Sequence, residues 1–252
     1  MGILSGRVAI VTGASSGIGR ACAVRFAEEG ASIVVCARRR DRLEVLASDV
    51  SAKGGEVLAV ECDVSIEGDI ANVVAKTEGR FGRIDILANI AQGGMENFEG
   101  INDVSSGDVM HSFKTGPLQS MLFMQKCFPI MKIQRYGRII NTASPAAMTG
   151  LPGLTAYAMA KGAIMALTRN ASQEWGPFGI VTNTFLPWVR TENFERTELA
   201  KNLPAMEASS PLRRMGTAYE DCTPILAFLA SEGAGYINGQ AIAVDGGRRL
   251  IG

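Results

Sequence analysis

The segment Val8-Ala9-Ile10-Val11-Thr12-Gly13-Ala14-Ser15-Ser16-Gly17-Ile18-Gly19-Arg20 decides the fold. It opens on a short aliphatic run and passes into a turn whose glycines are spaced G-x-x-x-G-x-G. From Gly19 onward, Cys22, Ala23, Phe26 and Ala27 recur at helical spacing. Glycine lets the backbone turn sharply and approach a ligand with no Cβ in the way. The helix that follows offers free N–H groups and the positive end of its dipole, which suit a pyrophosphate. Ser15 and Ser16 add hydroxyl donors. Gly13, Ser15, Ser16, Gly17, Ile18 and Gly19 are the first candidate binding residues; the bland alternative is a plain glycine-rich turn.

Working outward, the same alternation recurs. Aliphatic runs at 8–11, 33–37, 57–60, 84–88, 138–142, 180–185 and 241–244 are separated by helical patterns at 19–29, 41–50, 66–78, 103–113, 116–134, 156–175 and 218–231. Apolar runs of this kind read as strands of a parallel sheet buried on both faces. Repeated β-then-α order implies a Rossmann-type, doubly wound α/β fold: seven parallel strands, right-handed crossovers and helices on both faces. No linker, repeat or shift in composition interrupts the series, so one domain over residues 1–252 is expected. Such sheets bind ligands at the carboxyl ends of their strands.

Composition narrows the class. The chain has 252 residues, 47% of them hydrophobic, and 25 basic residues balance 25 acidic ones. That balance argues against nucleic acid and anionic membranes as partners. Five cysteines, Cys22, Cys36, Cys62, Cys127 and Cys222, are widely spaced with no C-x-x-C. They read as buried free thiols in a reducing compartment. His111 is the sole histidine, which makes a metal site and Ser-His-Asp chemistry improbable. No charged and apolar leader opens the chain and no apolar run approaches the roughly 20 residues of a membrane span. A cytoplasmic protein is expected.

Several blocks now carry a family resemblance. The turn Thr12 to Gly19, the segment Ile86-Leu87-Ala88-Asn89-Ile90-Ala91, the stretch Asn141 to Ser144, Tyr157-Ala158-Met159-Ala160-Lys161, and the stretches 183–191 and 239–247 resemble the short-chain dehydrogenase/reductase family. The likeness is to its compact single-domain subgroup and covers nearly the whole chain. Ile90 and Gln92 depart from the family's Asn-Asn-Ala-Gly segment. The resemblance implies that Asp63 faces an adenine with Val64 nearby. It also implies that Asn89 and Ala91 line the cofactor groove and that Pro187, Val189 and Thr191 lie beside the nicotinamide.

The loop after the second strand bears on cofactor choice. NAD binders commonly place a carboxylate there for the ribose 2′-hydroxyl; this chain has Ala37 and then Arg38-Arg39-Arg40. A guanidinium pairs well with a 2′-phosphate. Arg38 and Arg39 are candidates, and NADP(H) is the expected cofactor. Asp41 and Glu44 read as a capping box for the next helix.

Ser144, Tyr157 and Lys161 are the candidate catalytic set. Tyr157 and Lys161 stand at i and i+4, on one face of a helix. A free phenol has a pKa near ~10, and an adjacent ammonium would move it toward the working range. Ser144 would hydrogen-bond the substrate oxygen, with hydride coming from the cofactor. The expected activity is interconversion of a ketone or aldehyde and an alcohol, with Tyr157 as general acid/base. A fourth catalytic position, an Asn in the family, aligns with Phe113. Either Ser112, His111 or Lys114 substitutes there, or the proton path is rerouted, or activity is low; Phe113 itself stays outside the catalytic set.

The substrate side reads as apolar. Met95, Pro145, Ala146, Met148, Leu151 and Trp188 are its candidate residues, under a lid at about 190–212 that reads as loop and that the resemblance marks as specificity-giving. Trp188 stands where the family has Gly; it forms a pocket wall or packs on the next segment. The almost wholly apolar stretch 117–133 must be covered on more than one side, and the resemblance implies a homotetramer or homodimer. Pro129 is expected to kink or shorten that helix. Two rivals remain: a dinucleotide-binding protein with weakened catalysis, and a 3-oxoacyl-thioester reductase, for which Arg190, Arg213 and Arg214 would be carrier contacts.

Overall fold

The protein is described here from a computed structural model, in which residues 2–93 and 98–248 are described. Its elements in chain order are β1 (Val8–Thr12), α1 (Gly17–Glu28), β2 (Ser32–Ala37), α2 (Arg40–Ala52), β3 (Val57–Glu61), α3 (Glu67–Phe81), β4 (Ile86–Asn89) and α4 (Ser106–Phe113). They continue with α5 (Gln119–Gln134), β5 (Gly137–Thr142), α6 (Ala146–Thr149), α7 (Thr155–Trp175), β6 (Ile180–Pro187), β7 (Val189–Arg190), α8 (Glu192–Glu195) and α9 (Leu203–Ala208). The last are β8 (Gly216–Thr217), α10 (Thr223–Ala230) and β9 (Ala241–Val244).

Seven strands form one sheet in the order β3-β2-β1-β4-β5-β6-β9, every pair parallel. The chain winds outward from β1 to β3, then returns to place β4 on the other side of β1. That reversal opens a crevice at the carboxyl ends of β1 and β4. Successive side chains on each strand point to opposite faces. Ala9, Val11, Ile33, Val35, Ile86 and Ala88 pack on one face with Phe26, Leu43, Leu46 and Leu226. Ile10, Val34, Cys36 and Leu87 pack on the other with Ile70, Val73, Phe123, Met124 and Cys127. Both faces are covered, which is why the strands read as continuous aliphatic runs rather than alternating ones.

At the opposite, amino end of the sheet a fully buried carboxylate ties the strands together. Asp85 accepts hydrogen bonds from the Val8 N–H (2.9 Å), from Arg83 Nε and Nη2 (2.8 and 2.7 Å) and from Arg7 Nη1 (3.2 Å).

Three local expectations are corrected. The Asp41–Glu44 capping box does not form: α2 begins one residue earlier with Arg39 as its N-cap and no side-chain cap bond, and Glu44 pairs with Arg40 instead at 2.8 Å. The helical patterns at 103–113 and 116–134 are one continuous helix, because α4 and α5 are joined by a π-helical turn, Lys114–Leu118. Pro117 lies inside that turn and has no N–H to give the usual i−4 carbonyl, which favours the wider winding. Pro129 lies inside α5, which ends at Gln134 as its helical pattern does. The segment 190–212 is not a loop. It holds α8, a 3₁₀ turn Glu198–Asn202 and α9, and it is closed by a parallel pairing of β7 with β8.

Candidate active site

The glycine turn after β1 meets the conditions for holding a pyrophosphate. Gly13 and Gly17 have φ of +68° and +53°, the left-handed region that favours glycine. Gly19 lies inside the first turn of α1, where a Cβ would stand 2.3 Å from the Gly13 carbonyl oxygen. Only glycine lets the helix close on the turn. Ser16 is the N-cap of α1 but makes no side-chain capping bond, so the first amides of the helix stay available to an anion. Ile18, in the first turn of α1, packs on the core. Thr12 Oγ1 accepts from the Ile90 and Ala91 amides at 2.9 and 3.0 Å and fixes the start of the neighbouring turn after β4.

Arg39, more than Arg38, is aimed at this turn. Its guanidinium donates to Ser15 Oγ (Nη2, 2.8 Å; Nε, 3.2 Å) and to Ser16 Oγ (2.8 Å). Burial and the neighbouring Arg42 and Arg196 cations shift its pKa down, with Glu192 opposing. Arg38 is exposed. It helps hold the Asp63 carboxyl below its ordinary range, after the larger effect of the Ser65 N–H, which donates to Asp63 Oδ1 at 2.9 Å. Val64 packs on the core beside it.

Lys161 is 2% exposed, and its ammonium donates to the Thr142 carbonyl at 2.6 Å. Its Nζ stands 5.5 Å from the centroid of the Tyr157 ring, so the two side chains converge. Burial pulls the Lys161 pKa down to about 7. Burial pushes the Tyr157 phenol up to about 12, while a hydrogen bond from Ser144 pulls it the other way. Proximity of the amine was expected to make the phenol more acidic; the shift runs the other way, with burial as its largest cause. Ser144 Oγ also accepts from the Ala146 N–H at 3.2 Å, which begins the short helix α6. A network fastens the ends of β4 and β5 to α7: Asn89 Nδ2 donates to Asn141 Oδ1 (2.9 Å), and Asn141 Nδ2 to Thr168 Oγ1 (3.0 Å).

On the substrate side, Pro145 caps α6, Ala146 is buried, Leu151 is half-buried and Met148 is exposed. Met95 lies outside the described residues. Trp188 is buried with Phe194 and Met215, against Leu199, Leu203 and Met206 of the 190–212 segment. The Arg248 guanidinium stacks 4.4 Å from the indole centroid. The indole is thus an anchor for that segment. Pro187 and Val189 flank it, and Thr191 sits over the glycine turn, 3.5 Å from where a Gly17 Cβ would be.

Sequence reasoning missed Glu192 and Gln92. Glu192 ties α8 to α2 through Arg42 at 2.9 Å, across the Arg39 side of the turn. Gln92 lies against the π turn, within contact of Gly116. No motif marks either residue; the departure of Gln92 from the expected glycine was the available signal.

Comparison with known proteins agrees with this geometry. The family described as Enoyl-(Acyl carrier protein) reductase matches residues 13–249. The chain is 33% identical to the levodione reductase of Leifsonia aquatica, over 96% of this chain and 94% of that one. It is 33% identical to the 3-oxoacyl-[acyl-carrier-protein] reductase FabG of Staphylococcus epidermidis, over 95% and 97% respectively. Among solved structures, YwfH, an NADPH-dependent reductase involved in bacilysin biosynthesis, superposes with a TM-score of 0.91 at 28% identity, covering 98% of this chain and all of that one. With its parallel sheet, glycine turn and converging Ser144, Tyr157 and Lys161, the chain belongs to the short-chain dehydrogenase/reductase family of oxidoreductases.

Proposed function

We propose that the protein is an NADP(H)-dependent reductase of an apolar ketone or aldehyde, running in reverse as an alcohol dehydrogenase. The observation that carries this reading is the convergence of Tyr157, Lys161 and Ser144 at the carboxyl end of β5, across the crevice from the glycine turn. Bound in that crevice, the nicotinamide supplies a hydride to the carbonyl carbon. Ser144 donates a hydrogen bond to the carbonyl oxygen, where charge develops. Tyr157 transfers its phenolic proton to that oxygen. A phenol with a pKa of about 12 is fully protonated at neutral pH, which sets the resting site for reduction. Arg39, with Ser15 and Ser16, recognises the 2′-phosphate; the absence of a carboxylate at Ala37 supports this choice. The segment 190–212 acts as a lid within a single domain, seated on Trp188.

The thioester-reductase reading has the likeness to FabG in its favour. Its three basic candidates are already engaged: Arg190 with Glu195, Arg214 with both oxygens of Asp221, and Arg213 with the Ala208 carbonyl. A small carbonyl substrate is the better fit. Cytoplasmic residence accords with five buried, free cysteines. No helix among the described residues is long and apolar enough to cross a membrane. Assembly into a dimer or tetramer accords with exposed Met110, Leu118, Ile133 and Met159 along α4, the π turn, α5 and α7.

The test is a panel of apolar ketones and secondary alcohols with NADPH and NADH, followed through absorbance of the reduced nicotinamide, in the wild type and Tyr157→Phe. Turnover that Tyr157→Phe abolishes, with NADPH binding retained, is the expected result. Tight dinucleotide binding with no turnover on any carbonyl would favour a binding role instead.

A further inference from the structure

The segment 190–212 meets the cofactor crevice through its first turn. Thr191 stands over Gly17, and Glu192 pairs with Arg42 of α2 at 2.9 Å. Arg196 is the C-cap of α8 and keeps helical backbone angles, so it lies four residues on from Glu192 along the face turned to α2. On α2 itself, Arg39 is the N-cap and Arg42 follows three residues later, again on one face. Side chains that are 150 residues apart in sequence, Arg42 and Glu192, thus bring two charged faces together beside the glycine turn.

The charges in this cluster do not balance. Three guanidinium groups, Arg39, Arg42 and Arg196, act on one another across two carboxylates, Glu192 and Asp41. Glu192 is engaged by Arg42 and also senses Arg196 as a nearby cation. Arg39 donates to the neutral hydroxyls of Ser15 and Ser16. Arg196 makes no ion pair and no side-chain hydrogen bond among the described residues. Two cations without an anion of their own therefore face each other, one on the body of the domain and one on the lid. Such a pair repels unless an anion joins it. The chain as a whole has equal numbers of basic and acidic residues, so the excess here is local.

We propose that Arg196 is a second ligand of the cofactor 2′-phosphate, delivered by the lid, so that the phosphate becomes a strut between α2 and the segment 190–212. This rests on the NADP(H) reading given above and deepens it. Arg39 receives the phosphate from the α2 side; Arg196 closes on it from the lid side. A dianion between them turns repulsion into attraction, and a neutral 2′-hydroxyl leaves the repulsion in place. A ligand shifts a lid only by as much as it favours the closed state. NADP(H) therefore closes the lid and NAD(H) does not. By reciprocity, a carbonyl enclosed under the lid tightens NADPH and leaves NADH unchanged.

The test uses the full-length protein and two probes without a nicotinamide, adenosine 2′,5′-bisphosphate and adenosine 5′-monophosphate. Binding is read by calorimetry, and lid closure by hydrogen–deuterium exchange of the amides over residues 192–208. In the wild type the bisphosphate binds more tightly and, at saturation, slows that exchange at least about fivefold; saturating monophosphate changes it less than about twofold. Arg196→Gln weakens the bisphosphate about five- to tenfold, leaves the monophosphate within about twofold and loses the protection of 192–208. Arg196→Lys restores part of both. A folded Arg196→Gln that binds the bisphosphate within about twofold of wild type overturns the proposal, and so does one that keeps the protection. The two levels separate. If the wild type binds both probes equally, the NADP(H) reading itself falls. If Arg39→Ala abolishes the preference for the bisphosphate while Arg196→Gln keeps it, only the role of Arg196 falls.

Discussion

Replacing Arg39 by Ala should change cofactor choice and little else. In the structure its guanidinium is held by Ser15 Oγ and Ser16 Oγ at 2.8 Å each, at the mouth of the glycine turn. The side chain is thus already oriented before a dinucleotide arrives, which spares part of the ordering entropy of a long side chain. A hydrogen bond to a charged group contributes about 1.5–3 kcal/mol, which corresponds to a loss of roughly 10- to 150-fold in NADPH affinity. NADH has no 2′-phosphate and should lose at most about twofold. Arg39→Lys keeps the charge without the fork and should fall between the two. Glu192 gives a second arm with the opposite sign. It is half-exposed, paired to Arg42 at 2.9 Å, and it favours the charged form of Arg39. A carboxylate there repels a phosphate dianion, so Glu192→Gln should tighten NADPH by a few-fold, within the ~1 kcal/mol expected of an exposed charge. Both effects should shrink as salt is raised. The assay is fluorescence titration with NADPH and NADH at fixed ionic strength. Equal losses for the two nucleotides in Arg39→Ala would refute the reasoning, because they would make Arg39 a brace for the glycine turn and nothing more.

Other perturbations follow from the same geometry. Asp85→Ala leaves the Val8 amide without its acceptor and Arg83 without its anion, while Arg7 keeps its pairing with Glu232. Arg7 and Arg83 still reach water, being 20% and 43% exposed, so the loss should sit near ~3 kcal/mol, the low end for a broken buried pair. For a chain of this size that is roughly 6–12 °C in Tm, read by calorimetry. Trp188→Ala should free the lid: limited proteolysis within residues 190–212 quickens and the KM for substrate rises, with a smaller effect on Tm. Lys161→Met should abolish turnover yet raise stability near pH 7. The folded pKa of Lys161 is lowered, so between about 7 and 10.5 the unfolded chain binds more protons and wild-type stability climbs with pH. The advantage of the Met variant, measured by urea unfolding at several pH values, should therefore fade across that window.

Most of the sheet was legible because both its faces are covered. A strand buried on both sides needs aliphatic residues at every position, and Val8 to Val11 or Ile33 to Ala37 can be little else. The glycine turn was legible for a related reason: Gly19 must pass so near the Gly13 carbonyl that any side chain fails. Elements shorter than two helical turns left no periodic trace, so the helices within 190–212 read as loop. The start of α2 was misplaced by one residue because Arg39 answers to Ser15 and Ser16, 24 and 23 residues away, rather than to its neighbours.

The reacting centre shows where local pattern stops being informative. Spacing of i and i+4 places an amine beside a phenol, and it also suggests the sign of their interaction. It carries no information on how much protein closes over them. In the folded chain both groups are pushed toward their neutral forms, Tyr157 up to about 12 and Lys161 down to about 7. Burial therefore competes with the very charge that would make the phenol acidic, and under the proposed mechanism whatever keeps Lys161 protonated serves the reaction. Acceptors around the ammonium do this by stabilising its charged form. The Thr142 carbonyl is one of them, and it comes from the strand. The π turn packs on the helix that carries Lys161, and there Pro117 withholds an amide, Gly116 withholds a side chain and Gln92 fills the space both leave. None of these three residues carries a motif alone. Their meaning is joint and depends on a contact across 24 residues of chain, between Gln92 and Gly116, that only the folded structure brings about.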